Sequence, residues 1–273
     1  MISNSHFSDF KGTSTAIFIE RIDSNLLVSH CSFDDCYKSY YYYSYPRDGF
    51  RIGGVCIIHY GNNASLNYVS CCSCQVVYQS IIATFNQNKQ SNSHNYNEIS
   101  LHNCISSSYF ILTDITPAYF SNCNSSSSIC TEHPLFHSGW SSVGGNSTYW
   151  TLTNNTCSAL LGHNNLQINY YFLNVISNKN QYLFMVYMRG SYFVFNSILI
   201  DNKITQINTG TLTLYNCIYD GNEDLIVNPN CVLVQTYSIK ILNSCANFYQ
   251  CACSNMNYSF RFKYMYSFII TLI

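Results

Sequence analysis

Residues 211–221 read T-L-T-L-Y-N-C-I-Y-D-G, and weaker copies of this phrase return along the chain. Leu212 and Leu214 alternate with polar positions, Asn216 follows at the same period of two, and Cys217 opens a second short apolar segment. Alternation marks half-buried strands, and Asn is the non-glycine residue that most readily enters the left-handed backbone region of a sharp corner. The phrase therefore predicts strand, corner, strand.

Related phrases place corners at His30, Ser70, Asn103, Asn122, Asn154, Asn174, Asn196, Asn216 and Asn243. From Asn103 onward the intervals are 19, 32, 20, 22, 20 and 27 residues, a base period of about twenty with insertions, as expected of stacked repeats. Helical repeats want Ala, Leu, Glu and Lys at a period of 3.6. This chain is instead rich in Tyr, Phe, Ile, Thr, Asn and Ser in runs of period two. The insertions read as loops over residues 37–48, 87–97 and 138–147, with a short polar run at 124–128, while Gly53-Gly54-Val55-Cys56-Ile57-Ile58 reads as a strand. No segment is long enough to be an interdomain linker, so the repeats form one domain over residues 1–250.

A tail over 251–273 differs in character. Arg261 and Lys263 precede a mostly apolar end that is too short to span a bilayer, which takes about twenty residues in a helix. It reads equally as a capping strand or as a truncated membrane-proximal segment.

Only 9% of the 273 residues are charged and the net charge is -1, so the surface is hydrogen-bonding rather than ionic. That balance gives no electrostatic reason to expect nucleic acid or an anionic membrane as partner. Fifteen cysteines favour an oxidising compartment, although the odd number leaves at least one unpaired within the chain. Asn63, Asn124, Asn146, Asn154 and Asn257 lie in glycan-acceptor triplets. The residues after Met1 lack the basic and apolar regions of a signal peptide, and Ile2-Ser3-Asn4 reads as the end of a repeat already under way.

Repeats of this length and lettering resemble the right-handed parallel β-helix, the pectin-lyase-like fold, over roughly residues 2–243. Gly53-Gly54-Val55-Cys56 and Phe193-x-x-Asn196 are similar to phrases of β-helical surface adhesins and autotransporter passengers. Abundant Asn, Tyr, Ile and Cys, with a cysteine-bearing end before an apolar tail, resembles membrane-anchored β-helix families of protists. The resemblance implies an all-β chain, a right-handed parallel β-helix solenoid of about ten coils with loop insertions. A leucine-rich repeat fits less well, because it places two residues before its Asn where Leu214-Tyr215-Asn216 has one.

Cys31, Cys71, Cys104, Cys123 and Cys217 share the position after the corner, and several are expected to form an inward column, packing as reduced, small apolar residues, with Cys31/Cys36 and the Cys251/Cys253 region the places where a bridge is expected if any forms. Cys71-Cys72-x-Cys74 with His94 and His102 offers a single zinc-type pair and no second one, so no metal is expected, and no cofactor. A polygalacturonase-like reading takes Asp34-Asp35, Gly162-His163-Asn164 and Arg261-Phe262-Lys263, which resemble that family's motifs in chain order. Corner counting sets the first two about four coils, or about 19 Å, apart, against the roughly 5–10 Å that a carboxylate pair needs. No catalytic residue is therefore assigned.

The expectation is a non-enzymatic cell-surface or secreted scaffold, adhesin-like, binding glycans or surface proteins through the loops at 37–48 and 87–97. Tyr40, Tyr41, Tyr42, Tyr43 and Tyr45 are the candidate binding residues. Membrane contact is expected only through a truncated C-terminal anchor. The alternative is a polysaccharide lyase or glycosidase of the same fold.

Overall fold

The computed structural model describes residues 1–9, 11–12, 15–20, 24–38, 54–77, 80–85, 93–114, 118–138, 145–163, 167–186, 190–208, 211–219, 231–234 and 237–238. The chain divides into two compact units, Met1–Ile239 and Lys240–Ile273, and the second lies wholly outside the described residues. Among the described residues every regular element is a strand, gathered into a 15-stranded and a 12-stranded sheet.

In the first sheet the main path runs in chain order through Ile2–Ser3, Leu26–Asp34, Ala64–Cys72, His94–His102, Ala118–Ser121, Gly145–Thr153, Gln167–Ile176, Ser191–Phe195, Thr211–Tyr215 and Cys231–Val234. Neighbours on this path are parallel, as in Leu26–Asp34 against Ala64–Cys72 and Ala64–Cys72 against His94–His102. Between visits the chain crosses to the second sheet. From Ala64–Cys72 it passes through Gln75–Val76 and Ser80–Phe85 before returning as His94–His102. Each return adds one parallel strand, which is the non-local connection that parallel pairing requires.

Every described non-glycine residue with positive φ falls into one of two columns. The first is Asn4, His30, Tyr68, Glu98, Asn122, Tyr149, Phe172, Asn196 and Asn216; the second is Asp9, Asp35, Ser73, Asn103, Ser127, Asn154, Ser177 and Asp201. Each member of the second stands five residues after a member of the first, with φ between 50° and 59° throughout. The expected corners mixed the two. His30, Asn122, Asn196 and Asn216 belong to the first column, and Asn103 and Asn154 to the second. Ser70 and Asn174 are ordinary strand residues, their true corners being Tyr68 with Ser73 and Phe172 with Ser177; Asn243 lies outside the described residues. Both columns are preceded by inward residues at alternate positions, so the same letters announce either. Within the first column the interval is 20 to 38 residues, and the short 19-residue step expected between Asn103 and Asn122 joins two different columns.

The residue after each corner explains the cysteines. A left-handed corner turns that residue inward, where its N–H and the carbonyls beside it need partners. Cys104 donates its thiol to the carbonyls of His102 and Cys71, both at 3.4 Å. Cys36, Cys74, Cys31, Cys123 and Cys217 repeat the pattern: one carbonyl two residues back, one on the preceding parallel strand. Ser128 and Ser197 donate to the same carbonyl two residues back.

Further along, Asn takes over this position and adds an acceptor. Asn178 Oδ1 receives Asn155 N–H at 2.9 Å, and Asn178 Nδ2 reaches the carbonyls of Leu152 at 2.8 Å and Ile176 at 3.1 Å. Asn202 serves Asn178 in turn, and Asn155 serves Ser128. The expected single column of cysteines is thus three. Cys31, Cys123 and Cys217 follow first corners, Cys104 follows a second corner with Cys36 and Cys74, and Cys71 lies in register with Phe33 and Leu101 inside the strand. The eleven described cysteines are all free, and all but Cys72 are buried.

The rest of the core is apolar columns one strand spacing apart. Phe33, Cys71 and Leu101 align, as do Cys31, Val69 and Ile99. Rings stack between neighbouring strands, the partly buried Phe7 on buried Phe33 at 4.8 Å and buried Tyr96 on buried Phe120 at 4.6 Å, which matches the separation of those strands. Several expected loops are partly strand: His94–His102 takes in the end of 87–97, Asn124–Ser126 is paired, and Ile129–Ser138 and Gly145–Thr153 reach into 138–147. Polarity misled here because outward strand positions of this chain are themselves Asn, Ser and Thr.

Two substitutions separate donor chemistry from cysteine chemistry. Cys104→Ser keeps a donor in a site where Ser128 already serves, and should cost no more than about 1 kcal/mol in urea unfolding. Asn178→Leu strands the Asn155 N–H and the carbonyls it served, and should cost roughly 3–5 kcal/mol at about 1–3 per buried unpaired group. Equal costs for the two would contradict this role.

Candidate functional site

The first corner column also carries the most conspicuous outward residues. Between Asn4 at one end and Asn196 at the other it reads His30, Tyr68, Glu98, Asn122, Tyr149 and Phe172. A bulky side chain in the left-handed region costs about 1–2 kcal/mol relative to ordinary backbone, a cost that Asn largely escapes. Tyr68 and Tyr149 accept that cost and are nonetheless 46% and 52% exposed.

Among the described residues each stacks on one neighbouring ring. His30 stacks on Tyr68 at 4.5 Å, and Phe172 on Tyr149 at 4.9 Å with ring planes 6° apart. On its other side Tyr68 meets the Glu98 corner and Tyr149 the Asn122 corner. The two tyrosines therefore stand as posts three strand spacings apart, about 14 Å.

The ground between them is polar. One row, just before the corners, is Asn67, Asn97, Ser121 and Thr148; another, two residues beyond them, is Ser70, Ser100, Asn124 and Thr151. Tyr119, 42% exposed and in register with Asn95, adds a third ring. Asn122 Nδ2 leans on Asn97 Oδ1 at 3.4 Å and on Ser121 Oγ at 3.2 Å, which orients its amide along the row. Half-exposed rings flanking rows of amides and hydroxyls suit a ligand with alternating apolar and hydroxyl surface.

Farther along, Tyr171, Phe195 and Tyr215 also face outward, but they stack on one another at 4.8 and 4.7 Å. In that stack the middle ring, Phe195, is covered on both faces.

The loop tyrosines Tyr40, Tyr41, Tyr42, Tyr43 and Tyr45 lie outside the described residues, as do Asn164, Arg261 and Lys263. Asp34 is half-exposed at a strand end, where its carboxylate stands 3.4 Å from His6 Nδ1, and Asp35 is a second-column corner. His163 is buried, its ring edge-on to Tyr192 at 4.3 Å. Three corners of the second column, Ser73, Asn103 and Ser127, separate Asp35 from Asn154, beyond which His163 lies, so the structure does not bring these groups together. The zinc-type residues also diverge. Cys71 and Cys74 are buried, Cys72 points the other way, His94 is enclosed and His102 faces out to Ser126. Among the described residues no group of three or more His, Cys, Asp or Glu is arranged to hold a metal.

Sequence reading missed Tyr68, Tyr119 and Tyr149. For Tyr68 and Tyr149 the signal was a tyrosine at a left-handed corner, visible only once the two columns are separated; Tyr119 is an ordinary strand residue. It also missed Lys38, whose ammonium is buried against Thr15 Oγ1 at 3.0 Å and pushed down to about 8 by burial.

No protein-family model matches the chain, and no curated protein matches it in sequence.

Two buried histidines give the molecule an acid limit. His59 bonds to Ser24 Oγ at 3.0 Å and is lowered to about 4 by burial; His94 bonds to Thr84 Oγ1 at 2.9 Å and is lowered to about 3 by burial and by His59. The unfolded chain protonates both near 6.5, whereas the folded chain does so only below about 4. Their contribution is thus fully present above about pH 6.5 and is lost as pH falls toward 4. Urea midpoints should drop across that window, and His94→Gln should flatten the slope. An unchanged slope would show that His94 does not set it.

Proposed function

We propose that this chain is a right-handed parallel β-helix of about ten coils serving as a non-enzymatic, adhesin-like scaffold at the cell surface or outside the cell, and that it binds glycans. The winding is supported by parallel strands added in chain order with a return through the second sheet, since such crossovers are right-handed in about 98% of cases. Nine first-column corners among the described residues agree with a coil number near ten.

One observation carries the binding reading: exposed tyrosines occupy backbone positions where Asn would be more stable. Strain kept in an exposed residue points toward function. Tyr68 and Tyr149, about 14 Å apart across Glu98 and Asn122, frame a ground of amides and hydroxyls for a short run of sugar rings. Ring faces stack on the apolar faces of sugars, and the Asn, Ser and Thr rows take their hydroxyls. The loop bearing Tyr40 to Tyr45 remains part of the proposal as a second contact region.

The test is a glycan-array screen of the purified chain, with release of reducing or unsaturated ends assayed on the same sample. The reading expects saturable binding without turnover. Tyr149→Asn should weaken it about tenfold or more, equivalent to about 1.4 kcal/mol, while leaving the unfolding midpoint unchanged or higher. Turnover would overturn the non-enzymatic reading, and binding indifferent to both Tyr68→Asn and Tyr149→Asn would remove the site.

A further inference from the structure

The interior holds a group of thiols whose packing the corners explain only in part. Cys36, Cys74 and Cys104 follow successive second corners, Cys71 lies in the adjoining inward column, and Cys56 enters from the second sheet on strand Gly54–Tyr60. All five are fully buried. Within the stack, Cys36, Cys74 and Cys104 turn their sulfurs to carbonyls, as the corner requires. Cys56 instead approaches Cys74 sulfur to sulfur, at 3.7 Å.

We infer that Cys56 and Cys74 form an oxidative modification site, a dithiol that a small peroxide closes to a disulfide joining the second sheet to the corner after Ala64–Cys72. In-line neighbours such as Cys36 and Cys74 sit on adjacent parallel strands, a poor disposition for a disulfide, whereas Cys56 faces Cys74 from across the interior. Cys74 also donates to the carbonyls of Phe33 and Cys72, so both sulfurs meet the oxidant as thiols, and oxidation of either one first gives the same disulfide.

The chemistry balances. The Cys74 thiol attacks one peroxide oxygen, the O–O bond breaks, a sulfenic acid forms, and the other oxygen leaves as water with the thiol proton. Cys56 sulfur then attacks the Cys74 sulfur, the S–O bond breaks, and a second water leaves with the thiol proton. Two thiols lose two electrons to one peroxide. The closed loop spans residues 57–73, which carry Tyr68, so oxidation would restrict the segment that holds one of the two posts.

The experiment treats the reduced, folded chain with hydrogen peroxide, blocks remaining thiols with iodoacetamide, and maps peptides by mass spectrometry without reduction. The expected result is a Cys56–Cys74 cross-link with loss of two thiols from the fifteen, reversed by dithiothreitol, and a higher unfolding midpoint in the oxidised chain. Cys56→Ser should abolish the cross-link. Because the map is made on the unsubstituted chain, a poorly folding variant does not remove the test. Cross-links chiefly between other pairs, sulfinic acid at Cys74 without a cross-link, or no loss of buried thiols would each overturn the inference.

Discussion

The whole architecture rests on the side chain that comes directly after a left-handed corner. A parallel strand that turns sharply inward leaves an N–H and neighbouring carbonyls facing a dry interior, and an unpaired backbone group there costs as much as a lost hydrogen bond. After every described second corner from Asp35 on, and after five of the nine first corners, this chain meets the need with a small donor at the next position, Cys, Ser or Asn; after Tyr68, Glu98, Tyr149 and Phe172 that position is instead Val69, Ile99, Trp150 or Leu173. Each donor from Cys31 on also reaches the preceding strand or receives an N–H from its neighbour, so the corners couple successive strands as well as ending them. Residues that look chemically unrelated in the sequence are one structural type.

That equivalence explains what sequence reading could and could not see. Alternation of Leu212, Leu214 and Asn216 announced a strand running into a corner, and parallel, all-β organisation followed. The existence of two corners five residues apart was hidden, because inward residues at alternate positions precede both. Where the corner residue is Tyr68, Glu98, Tyr149 or Phe172, no letter marks it. The neighbouring Asn or Ser drew attention instead, as at Ser70 and Asn174. Cysteine was read as reduced core packing; what the letters hid is that six of the eleven described cysteines serve as corner donors in positions where Ser and Asn serve elsewhere.

The same regularity shapes the candidate site. Because strand positions repeat at one spacing, outward side chains fall into straight rows, and a ring in one strand meets whatever stands at that position in the next. Where the next residue is also a ring, as from Tyr171 through Phe195 to Tyr215, the stack closes on itself. Where it is Glu98 or Asn122, the run of rings ends beside amides and hydroxyls. Loop letters cannot convey this difference, which depends on register. Tyr68 and Tyr149 are therefore legible only after folding, whereas Asp34, Asp35 and His163, prominent as letters, are kept apart by the strands between them.

The direct test of the corner account is residue-resolved amide hydrogen exchange. The N–H groups of Cys104, Ser128, Asn155 and Asn178 each find their acceptor in a side chain of the next parallel strand. They should exchange only with global unfolding, as slowly as the central strand amides. Exchange at these positions as fast as in the connecting loops would mean that the donor residues do not hold the corners, and the account would fail.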